Sequence, residues 1–211
     1  MFDHFNLLNF IISIAVLILA LTIHEFSHAI TADYLGDSTP RNQGRISLLP
    51  PDHLDPLGTV MIVISSLSGF GIGWGKPVMT NPNNFRNPRR DQGIVAVAGP
   101  ISNILQAIVF AVILRSVLHM GITDSILTFL ISGVFINLSL AFFNLIPLAP
   151  LDGSWIMTAL LPYNLAGAYS RWMQAYGMLV FLGMIMLAPR LLSMIISPPV
   201  FYCARLLVPG F

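Results

Sequence analysis

The 24 residues from Leu7 to Ile30 form a run apolar enough to lie in lipid, yet His24, Glu25 and His28 sit near its end. As a helix rising about 1.5 Å per residue, the run is roughly 36 Å long and crosses a bilayer with some tilt. His24 lies six residues before Ile30, so roughly 9 Å inside the end of the span. Ionisable groups at that depth are costly, and a fold that keeps them there usually uses them. The N-terminus before the run carries Asp3 and His4 rather than a basic stretch, and the run exceeds the apolar core of a signal peptide, so the expectation is a retained helix.

Composition points the same way. Hydrophobic residues make up 55% of the 211 residues and charged residues 9%. Soluble domains carry roughly a quarter charged residues, so lipid must solvate this exterior. The net charge of +1 and the lack of a basic tract argue against nucleic acid. Cys203 is the only cysteine, which excludes an internal disulfide and a thiolate zinc cage.

Further apolar segments follow. Residues 57–74 are apolar but glycine-rich, and residues 93–118 and 125–143 read as second and third spans. The proline-broken stretch 144–153 leads into a short helix ending near Leu161. Residues 172–196 form a last long apolar segment interrupted by Pro189, with an interfacial tail over 199–211. The loop 33–56 is polar, with a short strand expected near residues 45–49. The expectation is one domain over 1–211, with a catalytic core over about 7–161 and C-terminal membrane segments over 172–211. Its fold class is an all-α polytopic membrane protein.

His24-Glu25-Phe26-Ser27-His28 is an H-E-x-x-H pattern. Positions i and i+4 share a helix face, so both imidazoles can bind one zinc ion while Glu25 takes a proton from water. The plain alternative is a pair of helix-end histidines, which their depth in the span disfavours. A hydrolytic zinc site wants a third protein ligand and an open position. Asp152 fits, because Pro147 and Pro150 before it stop regular helix and open the backbone. Its alternative role is to cap the helix that follows, and the two histidines tilt the balance towards ligand.

Three stretches together resemble the site-2 protease family of intramembrane zinc metalloproteases. They are the HEFSH helix, Ala98-Gly99-Pro100-Ile101-Ser102-Asn103, and Asn144-Leu145-Ile146-Pro147-Leu148-Ala149-Pro150-Leu151-Asp152-Gly153. Residues 73–78 (GWGKPV) and 81–91 (NPNNFRNPRRD) look like its compact bacterial and archaeal branch without a PDZ domain. The resemblance covers Leu17 to about Leu161. It implies His24, His28 and Asp152 as zinc ligands, Glu25 as catalytic glutamate, and Asn144 as a residue that helps hold substrate or the developing oxyanion. It implies a transmembrane protein or peptide as substrate, and the size of the chain suits a prokaryotic inner membrane as location. The chain shows no helix before HEFSH and no PDZ or CBS segment, so regulation by such domains is not implied.

Topology constrains the rest. Asp152 must return to the depth of the histidines. A full crossing by 57–74 would put Lys76, Arg86, Arg89 and Arg90, four of the ten basic residues, on the outer side against the positive-inside rule. It would also send Asp152 to the far face. Residues 57–78 are therefore expected to enter and leave on one side, as a re-entrant or membrane-associated glycine-rich hairpin, broken helix or strand segment, with 76–80 either an edge for strand addition or simply an interfacial loop. Arg86, Arg89 and Arg90 are expected to anchor to headgroups. His53 is expected to be a solvated loop residue, with Asp55 capping the next segment, against the alternative of a gate or extra ligand. Asn103 is expected to make an interhelical hydrogen bond. The competing class is an ion or proton transporter using the same His, Glu and Asp cluster. A scaffold holding a structural metal is a further alternative, although it would want four protein ligands.

Overall fold

A computed structural model describes residues 6–68, 73–121 and 123–208, with side chains from 65 to 68 excepted. The chain forms helices α1 (Leu7–Tyr34), α2 (Thr39–Asn42), α3 (Pro56–Ser68), α4 (Pro88–Val117), α5 (Asp124–Asn144), α6 (Asp152–Leu160), α7 (Tyr163–Trp172), α8 (Met178–Leu187) and α9 (Pro189–Leu207). Helices α1, α4, α5 and α9 are long and apolar enough to cross a membrane. The protein is an all-α polytopic membrane protein.

Helix α4 lies at the centre, packed against α1, α5 and α6, while α5 also contacts α1 and α9. Lipid gives no hydrophobic reward for helix association, so close van der Waals packing must do the work. Small residues supply it: Ala20, Ala29, Ala32, Ala96, Ala107, Ala111 and Ala141 are all buried. The largest apolar cluster joins Phe110 and Leu114 of α4 to Val134 and Leu138 of α5 and to Val200 and Ala204 of α9.

Local chemistry explains the helix starts. The Asn6 side chain accepts from Leu8 N at 3.0 Å and Asn9 N at 3.1 Å, capping α1. Asp55 Oδ1 accepts from Gly58 N at 2.7 Å, capping α3 as expected. Pro88 opens α4, and Asp91 Oδ2 accepts from Asn87 N at 2.9 Å.

Several expectations need correction. Residues 45–49 form no strand, and residues 76–80 run without a partner strand. The single bridge among the described residues joins Leu54 to Gly75. The second span begins at Pro88 and runs unbroken through Gly99 and Pro100, because its buried face is held by α1, α5 and α6. As expected, the last apolar segment is interrupted at Pro189, which starts a new helix after the break at Ala188. That helix passes through Pro198 and Pro199, where an interfacial tail is expected. Its packing through Val200 and Ala204 against α4 and α5 offsets the lost backbone bonds. Arg89 donates to the carbonyls of Thr158 and Ala159 at 2.7 and 3.0 Å and to that of Leu161, so it closes α6 rather than reaching for headgroups. His4 and residues 69–72 of the expected hairpin lie outside the described residues.

Candidate metal centre

His24 and His28 share one face of α1, as their spacing requires. Their Nε2 atoms lie 3.0 Å apart. Oδ2 of Asp152 lies 3.2 Å from Nε2 of His24 and 3.4 Å from Nε2 of His28. Sequence separation is bridged by the loop from Leu145 to Leu151, which brings the first residue of α6 back to α1. Gly153 permits that turn, since a β-carbon there would collide with the carbonyls of Leu145 and Ile146. Tyr169 Oη donates to the Pro147 carbonyl at 2.8 Å and pins the loop from outside. Asp152 is the first helical residue rather than the cap, which is Leu151.

The outer nitrogens fix the tautomers. His28 Nδ1 is 2.7 Å from the Val95 carbonyl and His24 Nδ1 is 2.6 Å from Asn103 Oδ1. A carbonyl oxygen only accepts. The Asn103 amide nitrogen is committed to Asn137 Oδ1 at 2.9 Å and to the Ala20 carbonyl at 3.3 Å. Both Nδ1 atoms therefore carry the proton, and both Nε2 atoms turn lone pairs inward. Val95, Gly99 and Asn103 recur every four residues on α4, so one helix face forms the bed for both rings.

Three acceptor atoms thus converge, all within 4.8 Å of one another. Asp152 Oδ2 is buried with no hydrogen-bond partner. Such a set is repulsive unless a cation sits among it. The separations of 3.0 to 3.4 Å suit the edges of about 3.3 Å expected for a tetrahedron with zinc–ligand bonds near 2.0 Å. The residues present fit zinc. With the imidazoles held by outer hydrogen bonds, the arrangement has the orienting groups that metal ligands ordinarily need.

Glu25 is half-buried next to this cluster, with Oε2 3.8 Å from Nη2 of Arg45. Asn144 ends α5, and its amide donates to the Leu140 carbonyl at 3.0 Å. His53 is 0% exposed, so the solvated-loop expectation fails. Its Nε2 donates to the Ser47 carbonyl at 2.7 Å, and its own carbonyl accepts from Lys76 N at 2.8 Å. The sequence reading missed Arg45 beside Glu25 and the backbone acceptor at Val95. Asn103 is both an interhelical bridge and the partner of His24. Its signal was a polar residue in an apolar span.

Comparison with known proteins agrees with this geometry. The family model of Peptidase family M50 matches residues 116–188. The chain is 36% identical over 175 residues to the protein named "Putative zinc metalloprotease YwhC" of Bacillus subtilis (strain 168), covering 80% of this chain and 77% of that one. It is 27% identical over 148 residues to "Putative zinc metalloprotease Rip2" of Mycolicibacterium smegmatis and 32% identical over 151 residues to that of Mycobacterium tuberculosis (strain H37Rv). Each of these matches covers 68% of this chain and 55% of the relative. No solved structure matches. The chain belongs to peptidase family M50, the site-2 protease family of intramembrane metalloproteases.

Proposed function

We propose that the chain hydrolyses peptide bonds in or beside the transmembrane segments of membrane proteins, with zinc held by His24, His28 and Asp152. The observation that carries this reading is the convergence of three acceptor atoms, with the Nδ1 protons of both histidines directed away from them. Bound there, zinc supplies Lewis-acid polarisation of the scissile carbonyl and acidifies a water. Glu25 accepts the proton of the attacking water and passes it to the leaving amine. Asn144 donates to the developing oxyanion once its amide turns from the Leu140 carbonyl. The whole chain over 1–211 serves as one catalytic domain, with its core over 7–161 and C-terminal membrane segments over 172–211. Nothing observed favours transport by the same cluster.

The proposed setting is a prokaryotic inner membrane. The N-terminus of α1 faces outward and the HEFSH end lies near the cytoplasm. Residues 57–78 enter and leave on the cytoplasmic side. The pairing of Leu54 with Gly75, and Lys76 N donating to the His53 carbonyl at 2.8 Å, put the two ends of this segment side by side. A reporter fused after Lys76 that read as extracytoplasmic would sink this topology.

The function is tested by measuring zinc content and cleavage of a transmembrane peptide in detergent, for the wild type and Glu25→Gln. The wild type is expected to hold about one zinc per chain and to cut. Chelation abolishes cutting and added zinc restores it. Glu25→Gln keeps zinc and loses roughly 10²–10⁴ in turnover. His24→Ala and Asp152→Ala lose zinc as well. A wild type that binds no metal, or a Glu25→Gln that cuts normally, ends this reading.

A further inference from the structure

Arg45 belongs to a polar loop, where an arginine is ordinarily solvated. Here its side chain is only 3% exposed. A buried guanidinium carries several N–H donors that need acceptors. Nη2 donates to the Lys76 carbonyl and lies 3.8 Å from Glu25 Oε2, while Nε has no partner. Asp52 adds a second negative charge to its surroundings. One carbonyl and one carboxylate at that distance offset the desolvation of a charge poorly. As filling for the loop, an apolar side chain would serve better.

The other side of Glu25 meets backbone. A β-carbon on Gly75 would lie 3.4 Å from Glu25 Oε1 and 3.2 Å from the His53 carbonyl. Gly75 is paired with Leu54, so this backbone is held. The Glu25 carboxylate therefore lies between the returning segment at Gly75 and the guanidinium of Arg45. Arg45 in turn grips the same segment one residue later.

We infer that Arg45 is a positioning residue for Glu25, clamping the carboxylate and the returning segment at Lys76 in one geometry. The inference rests on the proposed role of Glu25 as proton acceptor. Arg45 touches neither the three converging ligand atoms nor, on this placement, the reacting bond. Its loss should therefore disturb turnover while leaving zinc and substrate affinity in place. A displacement of about 1 Å at a catalytic group can cost roughly a hundredfold.

The test uses the full chain in detergent and compares wild type, Glu25→Gln, Arg45→Gln and Arg45→Lys. Zinc per chain, the unfolding midpoint, kcat and KM are read for each on one transmembrane peptide. Arg45→Gln keeps a donor for the Lys76 carbonyl but loses the charge facing Glu25. It is expected to hold wild-type zinc and KM and to lose about a hundredfold in kcat. Arg45→Lys restores the charge and is expected to recover about tenfold of that loss. Wild-type kcat in Arg45→Gln overturns the inference, as does a raised KM with kcat intact, or an Arg45→Lys no faster than Arg45→Gln. Loss of zinc or of folding in both variants makes Arg45 a scaffold residue and overturns it too. A Glu25→Gln that still cuts brings down the protease reading itself, which is a separate result from any of these.

Discussion

A β-carbon on Gly99 would fall 2.6 Å from His24 Nε2 and closer still to Nε2 of His28. The helix that supports the histidines thus carries only hydrogen at the point where their Nε2 atoms meet it. Gly99→Ala is expected to push both rings out of register and to cut zinc affinity by at least about tenfold, while α4 keeps its helicity. Zinc per chain and circular dichroism, measured on one sample, check it. Full zinc occupancy in this variant would mean that the rings can settle elsewhere.

Asn103 sets the proton on His24 through its 2.6 Å contact with Nδ1. Its amide nitrogen also ties α4 to Asn137 of α5. Asn103→Leu removes an orienting partner and leaves Asn137 short of a donor. Zinc affinity is expected to fall about 10–100-fold, read by competition with a chromophoric chelator. Asn137→Leu breaks the second bond alone and should cost less. Equal losses in the two variants would mean that the pair acts only as an interhelical brace.

The spans and the His24, His28 and Asp152 grouping were legible because each rests on a cost that sequence alone exposes. An apolar run of 24 residues has few places to go but lipid, and titratable groups within it demand a reason. Spacing of four residues fixes the shared face of the histidines. What stayed hidden depends on which helix faces pack. The Val95 acceptor is a backbone carbonyl, and any residue type carries one. The burial of His53 and Arg45 follows from the fold-back of Gly75 and Lys76 over the loop, which a polar loop sequence does not announce. Arg89 looked like a headgroup anchor because its partners are carbonyls of α6, some 70 residues on. The unbroken helix through Pro198 and Pro199 reflects packing on α5 that overrides local preference.

Asp37 gives the polar loops that follow α1 a pH limit. The residue is fully buried. Burial would raise its pKa, but hydrogen bonds from the Thr39 hydroxyl, Asn84 and the backbone N–H groups of Asn81 and Thr39 hold it below the ordinary aspartate range. A folded pKa lowered in this way gives stability that is complete above the unfolded value, about 3.9. It is lost as pH falls through the folded value. The stability gap between wild type and Asp37→Asn should therefore be flat from pH 7 to about 5 and close below about 4. Unfolding midpoints of both proteins across that range test it. A gap that persists unchanged at the acid end would mean that geometry rather than charge holds the loop.

Arg89 carries the last prediction, because it links the start of α4 to the helix that presents Asp152. Helix α6 has only nine residues, so disorder at its C-terminal end is felt at its first residue. The carbonyls there have no partners within the helix, and Arg89 supplies donors to three of them. Its guanidinium also lies 6.0 Å from the centre of the Tyr163 ring. Arg89→Ala leaves those carbonyls unpaired, at a cost of roughly 1–3 kcal/mol. Each kcal/mol corresponds to a midpoint change of about 2–4 °C for a chain of this size. Zinc affinity should fall with stability, since Asp152 loses its fixed position against His24 and His28. Arg89→Lys restores one donor and should recover part of both losses. A headgroup anchor would behave otherwise: Arg89→Ala would keep its midpoint and zinc in detergent and lose only its preference for anionic lipid.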